Sequence, residues 1–379
     1  MADVLIFADS VVSPEMRHEV PVLVPDPFLY AEKEDGRRVA ASTSFEVDRI
    51  AEAGIEAHPW EEFGYDDLIG KGIPRDEIVW LNINLNACKA FGIEDAIVPR
   101  SFPVLVADHL RANGITLRPD YTFFADRRRV KTEAEIAGIR RAQRAAEAGM
   151  GAAKDMLARA ERSNGTLSVD GQPLTSELLK TAIRQAFTDH GMSSDDFIVS
   201  HGPQTASGHD LGSGPIAPDE PVVIDLWPKD PESACYADMT RTYVVGTPPD
   251  ELVEYHRLVK EALDRSFAAT KAGVPGVDVF NLVCEFFEEH GQQTALSKTP
   301  GEVLENGFFH GLGHGVGLEV HEAPGMGRGS ISEQIAGDVV TLEPGLYRQG
   351  FGGCRLEDLI LVTENGAENL TDFPYDLKP

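Results

Sequence analysis

Residues 132–379 of the sequence contain one order of elements twice, two helices followed by a series of strands. The first half begins with a long Ala-rich helix that has a capping box at Thr132 and Glu135. It continues with the helix LTSELLKTAIRQAFTDHG and the strands IVS, PVVIDLW and CYADMTRTYVV. The second half contains the helices ELVEYHRLVKEALDRSFAATKAG and VDVFNLVCEFFEEHG and the strands GDVVTLEPGLY and CRLEDLILVT. This repeat predicts two similar halves that face each other.

Each half also carries an acidic residue on two successive strands. The first pair is Asp225, at the end of DEPVVID, and Asp238 in YADMTRT. The second pair is Glu343, at the end of GDVVTLE, and Glu357 in CRLEDL. A carboxylate at the end of an apolar strand is costly to bury unless it is ionised and paired. Backbone amides or solvent could satisfy any one of them, but four at matching places predict a shared site for divalent cations.

Three histidines lie close together in the segment FFHGLGHGVGLEVHEAP, just before the Glu343 strand. They are His310, His314 and His321, set among glycines that allow close backbone approach. The segment is not HExxH, so it excludes the helical zinc site of that motif. His209, in HGPQTASGHD, is a further candidate. A lone histidine here would more often be structural, but this cluster favours an active site.

The N-terminal part of the sequence predicts a smaller mixed α/β domain. VLIF, VLVP and IVWLNI are typical of strands, whereas SFEVDRIAEAG and VLVADHLRANG have helical spacing and end in Gly. The basic cluster Arg127-Arg128-Arg129 marks the end of this part. The predicted boundaries are therefore 1–127 for the smaller domain and 128–379 for the larger one.

Composition limits the partners that this chain can have. The formal charge is −28, from 34 Lys and Arg against 62 Asp and Glu. Such a surface repels phosphate backbones and anionic lipid, which argues against nucleic-acid and membrane partners. No apolar run approaches the roughly 20 residues that a membrane helix needs.

Two further features predict a cytoplasmic protein. The segment MADVLIFADS lacks the basic region of a signal peptide. Cys88, Cys235, Cys284 and Cys354 are widely spaced and form no CxxC pair. This pattern predicts free, mostly buried thiols in a reducing compartment.

Five of these motifs together resemble the pita-bread metallopeptidases, a family that includes methionine aminopeptidase, aminopeptidase P and prolidase. The matching motifs are VVID, YADMTRT, HGLGHGVGLEVHE, TLEPGLY and CRLEDLILVT, within residues 128–379. Residues 1–127 resemble more loosely the creatinase-like N-terminal domain of the proline-specific branch. The resemblance implies an α/β (α+β) fold, in which a pita-bread catalytic domain with pseudo-twofold halves follows a smaller mixed α/β domain.

The resemblance also implies a ligand set for two divalent metal ions. Asp225 would bind one ion, Asp238 and Glu357 would bridge both, and His314 and Glu343 would complete the shell of the other. Mn²⁺ is the favoured metal, with Co²⁺, Zn²⁺ or Fe²⁺ as alternatives.

Roles in the reaction follow from the same resemblance. Glu343 would be the carboxylate nearest the attacking water, and His321 would contact the substrate carbonyl and stabilise the oxyanion. His209 and His310 would line the substrate pocket. Arg355 would orient a ligand carboxylate from behind.

Two departures from the family pattern affect this assignment. Asp225 and Asp238 are thirteen positions apart, further than is usual in the family. The turn between them contains Asp230, a rival for the first ligand position, although Asp225 is preferred because it directly follows the VVI strand. Several prolidases carry an Arg where this chain has Gly325, and Arg328 is the nearest substitute.

The function implied is hydrolysis of Xaa-Pro bonds at the N-terminus of dipeptides or short peptides, by an enzyme that forms a homodimer. The methionine aminopeptidase branch fits less well, because it typically lacks the N-terminal domain. Two alternatives stay open: another hydrolase or lyase on the same metal scaffold, and a non-catalytic homologue that acts as an interaction protein. The second predicts lost ligands, and every ligand type is present.

Overall fold

A computed structural model describes residues 2–379 of the protein and divides the chain into two units, Met1–Arg128 and Arg129–Pro379. The strands of the first unit are β1 Asp3–Ala8, β2 Phe28–Glu32, β3 Arg38–Ser42, β4 Glu56–Pro59, β5 Asp95–Val98 and β6 Thr116–Pro119. Its helices are α1 Pro14–Glu19, α2 Val47–Glu52, α3 Tyr65–Gly70, α4 Arg75–Glu77, α5 Asn84–Ala90 and α6 Val104–Ala112, with a 3₁₀ helix at Trp60–Phe63 and a π-helix at Ile78–Ile83. Helix α7, Tyr121–Arg129, ends at the boundary.

The first unit is built on one sheet with the strand order β4-β3-β2-β1-β5-β6. Successive side chains of a strand point to opposite faces, and β1 buries both of its faces. Leu5 and Phe7 belong to a hydrophobic cluster on one face, and Val4 and Ile6 belong to a separate cluster on the other. VLIF is apolar at every position because both faces of β1 pack against apolar residues. The strand predicted there is confirmed, as are helices α2 and α6.

Two strands predicted in this unit are wrong. VLVP lies outside every strand, because Pro21, Pro25 and Pro27 surround it and cannot donate to a ladder. Val24 instead donates its N–H to the Ser10 hydroxyl, at 2.8 Å. IVWLNI forms the π-helix Ile78–Ile83 between α4 and α5. Its apolar residues face a buried core, and a short apolar run does not distinguish a buried helix from a strand.

The second unit has two helix pairs and several small sheets. Its helices are α8 Glu133–Ala158, α9 Ser176–Asp189, α10 Asp250–Ala269 and α11 Gly276–Glu289, with a 3₁₀ helix at Gly202–Ala206. Its strands are β7 Glu161–Ser163, β8 Thr166–Val169, β9 Gln172–Pro173, β10 Ile198–His201, β11 Pro221–Leu226, β12 Met239–Val244, β13 Val339–Leu342, β14 Gly345–Arg348, β15 Gly352–Arg355, β16 Asp358–Thr363 and β17 Gly366–Asn369.

The predicted repeat is visible in the packing of this unit. In the first half, α8 and α9 pack with the sheet β10-β11-β12 around one hydrophobic cluster. In the second half, α10 and α11 pack with the sheet β13-β16-β17 around another. The capping box predicted for α8 is present, since Thr132 Oγ1 accepts the Glu135 N–H at 3.2 Å and Glu135 Oε2 accepts the Thr132 N–H at 2.7 Å. The mixed α/β class and its two similar halves are therefore confirmed.

The two halves meet along one edge of β12. Glu357 donates its N–H to the Thr240 carbonyl at 3.0 Å, and Thr242 Oγ1 donates to the Arg355 carbonyl at 2.8 Å. Both bonds join the strand after Asp238 to the chain around Glu357. The acidic strands of the two halves are neighbours for this reason. Among the described residues, no helix is long and apolar enough to cross a membrane.

Candidate metal centre

The residues singled out from the sequence line one cavity of about 760 Å³ in the second unit. Its wall includes the carboxylates Asp225, Asp238, Glu343 and Glu357, the imidazoles His209, His310, His314 and His321, and the guanidinium of Arg355. The rest of the wall is mostly apolar or small and includes Ile198, Leu211, Trp227, Phe309 and Val320. The structure thus brings every predicted site residue to one place.

Strand register explains how the carboxylates converge. Asp225 of β11 pairs with Thr240 of β12, and Glu357 forms a bridge with Thr240 from the other side. Asp238 immediately precedes β12, two residues before Thr240. Thr240 Oγ1 donates to Glu357 Oε2 at 2.7 Å, which fixes one oxygen of that carboxylate. Three carboxylates from both halves of the repeat therefore surround one threonine.

His314 approaches the same point from the glycine-rich segment. Its Nε2 atom lies 3.8 Å from Asp238 Oδ2 and 3.4 Å from Glu343 Oε1. Backbone and side-chain bonds to Thr341 hold the segment beside β13, because Thr341 N–H donates to the His314 carbonyl at 2.8 Å and Thr341 Oγ1 accepts the His314 N–H at 3.2 Å. Glu343 follows β13 directly. Atoms of Asp238, His314 and Glu357 lie within 4.8 Å of one another.

The donor set fits divalent metal ions. Asp225 Oδ1 and Asp238 Oδ1 are buried and have no hydrogen-bond partner among the residues that the structure describes. A buried polar atom without a partner costs free energy, typically about 1–3 kcal/mol and more for a charged group. Carboxylate oxygens together with one imidazole are ligands that hard and borderline divalent cations prefer. A cation between these groups would satisfy both oxygens and neutralise the cluster.

Electrostatics of the metal-free site point the same way. Burial and repulsion from Glu357 raise the pKa of Asp238 well above its ordinary value. Burial and repulsion from Asp225 raise the pKa of Glu357 in the same way. Burial, opposed by the charge of Arg355, raises the pKa of Glu343 to about 7. Burial lowers the pKa of His314 to about 3, so its imidazole is neutral and free to bind a cation.

A pH-dependent loss of stability is expected in the metal-free protein. A carboxyl group whose pKa is raised by folding stabilises the fold below its unfolded pKa, and this contribution is lost as the pH rises through the folded value. For Glu343 the loss extends from about pH 4.3, the unfolded value, to about pH 7. Bound cations would remove the repulsion between the carboxylates that causes this loss. The melting temperature of chelator-treated protein should therefore fall relative to metal-loaded protein by about 5 °C or more between pH 5 and pH 8.

Thermal unfolding of both forms across this pH range tests the expectation. Glu343→Gln is the matched control, because it removes one titrating group and should reduce the pH dependence of the metal-free form. A constant difference in melting temperature from pH 5 to pH 8 would contradict it.

Arg355 contacts the cluster from behind. It donates through Nη2 to Asp225 Oδ2 at 2.7 Å and through Nη1 to the Tyr347 hydroxyl at 3.1 Å. Its side chain is 5% exposed, so the ion pair with Asp225 is shielded from water. The contact is one that an orienting residue would make, and the role of Arg355 stays a prediction. Arg355 holds Oδ2 of Asp225, whereas Oδ1 makes no hydrogen bond to a described residue and is available to a cation.

The hydrogen bonds continue from Arg355 to His310. His310 Nδ1 lies 2.7 Å from the Gly311 carbonyl, which can only accept, so this nitrogen carries the proton. Nε2 then accepts from the Tyr347 hydroxyl at 2.9 Å. Both ring nitrogens are engaged, so His310 lines the cavity with its ring and offers substrate no free nitrogen. Tyr347, which is fully buried, was not identified from the sequence; its only signal was its place in the TLEPGLY motif.

His321 stands at the mouth of the cavity, beside His314. Their ring centroids are 4.2 Å apart, with the planes at 70°. The chain between them turns back on itself, since Gly315 and Glu322 exchange backbone hydrogen bonds at 3.0 and 2.9 Å. A Cβ atom on Gly315 would overlap the backbone after Glu322, so the turn requires glycine there. Burial and the neighbouring imidazole of His209 lower the pKa of His321.

A buried ion pair holds this turn in place. Glu322 pairs with Lys131, and both side chains are 2% exposed. A Cβ atom on Gly317 would overlap the Glu322 carboxylate. His321, which precedes Glu322, is therefore presented by a segment with little freedom.

The longer turn between Asp225 and Asp238 packs onto helix α8. Asp230 accepts from Arg141 at 3.1 and 2.8 Å and from the Ser233 backbone and hydroxyl at 2.8 and 2.6 Å. A Cβ atom on Gly138 would overlap Ser233, so the close approach depends on that glycine. Asp230 lies in this turn and is only 2% exposed. It is not on the cavity wall.

Neither Gly325, which stands in place of the prolidase arginine, nor Arg328, the nearest substitute, lines the cavity. Gly325 and Arg328 are both exposed, and neither is among the described residues that line the wall. Trp227, Leu211 and Phe309, which do line it, carried no signal in the sequence. Their place on the wall follows from tertiary packing.

The fold and this cluster are typical of the pita-bread metallopeptidase family. The model of metallopeptidase family M24 matches residues 137–364, and the chain belongs to that family. Its members use divalent metal ions, which agrees with the donor set. This family and the mixed α/β architecture were predicted from the motifs, and both are confirmed.

Individual relatives are similar over different lengths. The chain is 36% identical over 187 residues to a protein named Xaa-Pro dipeptidase from Pyrococcus furiosus, which is 48% of this chain and 49% of that protein. The chain thus matches about half the length of that relative. The prolidase structure from Pyrococcus horikoshii OT3 has a TM-score of 0.76 at 24% identity, over 100% of this chain and 95% of that one. An Xaa-Pro dipeptidase structure from Bacillus anthracis has a TM-score of 0.79 at 24% identity, over 99% and 94%.

Proposed function

We propose that this protein is a dinuclear metal-dependent peptidase that hydrolyses Xaa-Pro bonds at the N-terminus of dipeptides or short peptides. The observation that carries the proposal is the convergence of four carboxylates and His314 on one cavity, with two buried carboxylate oxygens that no described residue hydrogen-bonds. Relatives named Xaa-Pro dipeptidase and prolidase support the choice of substrate.

Five residues would hold the two ions, Asp225, Asp238, His314, Glu343 and Glu357. The ions, Mn²⁺ by preference, would activate water and polarise the scissile carbonyl. Asp225 is oriented for this role by Arg355, which fixes its other oxygen at 2.7 Å. Glu357 is oriented by Thr240 at 2.7 Å.

The chain's own residues would carry the proton and stabilise charge. Glu343 would take the proton of the attacking water on a carboxylate oxygen and return it to the leaving nitrogen. His321 would donate a hydrogen bond to the carbonyl oxygen as negative charge develops there. The apolar side chains of Leu211, Trp227 and Phe309 would surround the substrate and exclude water.

The N-terminal unit is proposed to be a creatinase-like domain, residues 1–127, ahead of the catalytic domain, residues 128–379. A homodimer is part of the same proposal, as is a location in the cytoplasm. All four cysteines are buried and unpaired, as expected in a reducing compartment. The charge of −28 disfavours nucleic-acid and membrane partners and leaves small peptides as substrates.

Another hydrolase or lyase on the same scaffold is the main alternative, because the fold does not fix the substrate. A non-catalytic homologue is disfavoured by the presence of every ligand side chain on the cavity wall.

Metal content and peptide hydrolysis test the proposal together. The purified protein should bind about two divalent ions per chain, measured by elemental analysis after loading with Mn²⁺, Co²⁺ or Zn²⁺. The loaded protein should cleave Xaa-Pro dipeptides or Xaa-Pro-Yaa peptides and leave the matched Xaa-Ala peptides intact. Full activity in protein that contains no metal would contradict the mechanism. Bound metal with no preference for proline would favour the alternative.

A further inference from the structure

One wall of the cavity is a loop, residues 202–214, that leaves β10 and returns to it. It carries His209 and Leu211 onto the wall. The return is close, because Val199 N–H donates to the Leu211 carbonyl at 3.1 Å. Gly212 has a φ of 79°, and a Cβ atom there would overlap the Val199 backbone. The position of the exposed His209 imidazole on the cavity wall therefore depends on how the two ends of this loop are fixed.

His201 lies where the two loop ends meet. Its Nδ1 is 2.7 Å from Glu220 Oε1 and its Nε2 is 3.0 Å from the Ser213 carbonyl. The carbonyl can only accept, and the same Glu220 oxygen also accepts the Ala217 N–H at 2.7 Å, as an ionised carboxylate does. Both ring nitrogens must then donate, which requires the imidazolium form. Gln204 joins the same two ends, donating from Nε2 to the Ser213 carbonyl at 2.9 Å.

Acidic groups face this imidazolium from two elements. Glu220, just before β11, is in direct contact, and Glu177 of α9 accepts the Gly214 N–H at 3.0 Å close by. Burial opposes the charge of His201, but the hydrogen bond and the charge of Glu220 outweigh it and raise its pKa above the ordinary value. The side chain of His201 is 12% exposed, so water competes little for these bonds.

We propose that His201 is a positioning residue for His209. As an imidazolium it ties Ser213, at the returning end of the loop, to Glu220, and it thereby holds His209 against the cavity. A neutral imidazole has one N–H, so one of the two bonds is lost on deprotonation. Both hydrogen bonds are present below the ordinary histidine pKa of about 6.5. One of them is lost as the pH rises through the raised pKa of His201.

The protonation state can be measured directly on the metal-loaded protein. Uniform ¹⁵N labelling of histidine, with His201→Gln to assign the signal, should show both ring nitrogens of His201 protonated at about pH 7. A neutral tautomer at that pH would overturn the proposal.

Amide hydrogen exchange tests the effect on the loop without reference to any substrate. The amide of Gln carries both of its N–H groups on one nitrogen, which cannot replace the two separate ring nitrogens of His201, so His201→Gln should speed exchange in the segment 202–214. His190→Gln is the control, because the His190 side chain hydrogen-bonds the Ala186 carbonyl of its own helix, α9, through Nδ1 at 2.9 Å and lies outside the segment 202–214. Unchanged exchange in His201→Gln would overturn the proposal even if the enzyme proves to cleave another substrate.

Activity measurements test the link to His209 and rest on the proposed function. His201→Gln should lower kcat/KM by about ten- to a hundredfold, since a misplacement of about 1 Å can cost up to about 10²-fold. In a His209→Ala background it should cause no further loss, because the two residues act as one unit. The difference in kcat/KM between wild type and His201→Gln should also become smaller as the pH rises. Fully additive losses would show that His201 acts elsewhere and would overturn the proposal.

Discussion

Asp225→Asn is expected to lose bound metal and activity together, whereas Asp230→Asn should keep both. Asp225 reaches the cavity from the end of β11 with Oδ1 buried and unpartnered, while both oxygens of Asp230 are engaged by Arg141 and Ser233. Removing the charge of Asp225 also breaks its buried ion pair with Arg355. A loss of at least about 10³ in kcat is expected, since a lost ligand should exceed the 10–100-fold typical of groups that only orient one.

Asp230→Asn has its own expected result, a lower stability. Its carboxylate ties the turn to helix α8 and is 2% exposed, so its replacement should cost about 1–3 kcal/mol of unfolding free energy. Metal content, kcat and melting temperature of the two variants separate these effects. Metal loss in Asp230→Asn with normal metal binding in Asp225→Asn would mean that the longer turn shifts the register of the ligands.

His321→Ala should lose about 10²–10³ in kcat while it binds metal normally. The turn from Gly315 to Glu322 presents His321 at the cavity mouth, and its lowered pKa keeps the imidazole neutral, with an N–H to donate. His314→Ala should lose metal as well, because its Nε2 lies 3.4 Å from Glu343 and 3.8 Å from Asp238.

The opposing view is that His321 only packs beside His314. In that case His321→Ala would melt at a lower temperature and turn over substrate almost as fast as wild type. Steady-state kinetics, metal analysis and thermal unfolding of both variants decide between the two. A metal-loaded, active but less stable His321→Ala protein would remove His321 from the catalytic machinery.

The convergence of the acidic strands could be predicted because it depends on local pattern and repetition. Asp225 and Glu343 each follow an apolar strand, and the helices of each half precede them in the same order. The family motifs then assigned a role to each residue. The capping box at Thr132 was predictable for the same reason, since its partners are three residues apart.

The features that could not be predicted from the sequence depend on contacts between residues far apart in the chain. Tyr347 matters because Arg355 and His310 approach it from separate segments. Asp230 is buried because Gly138 on α8 lets the turn approach. The imidazolium of His201 requires Glu220 and Ser213 to meet it from both sides, which no spacing along the chain reveals.

IVWLNI shows the limit of a short apolar run. A run of five apolar residues and one Asn is compatible with both a buried strand and a buried helix. Helices α4 and α5 lie directly before and after this run, and the helical conformation continues through it. VLVP failed for a different reason, because the prolines around it mattered more than its β-branched residues.

The two halves meet along one edge of β12, and this contact will be called the seam. Metal ions bound beside the seam would affect the lifetime of the protein as well as its activity. The bond from Thr240 to Glu357 joins residues 117 positions apart, and the four carboxylates beside it repel one another. Ions held by both pairs would act as a cross-link that closes a long loop of chain. Chains made in a metal-poor cell would lack this cross-link and open at the seam more often, where proteases reach unfolded segments. Metal supply would then set how much of the protein survives as well as how fast it works.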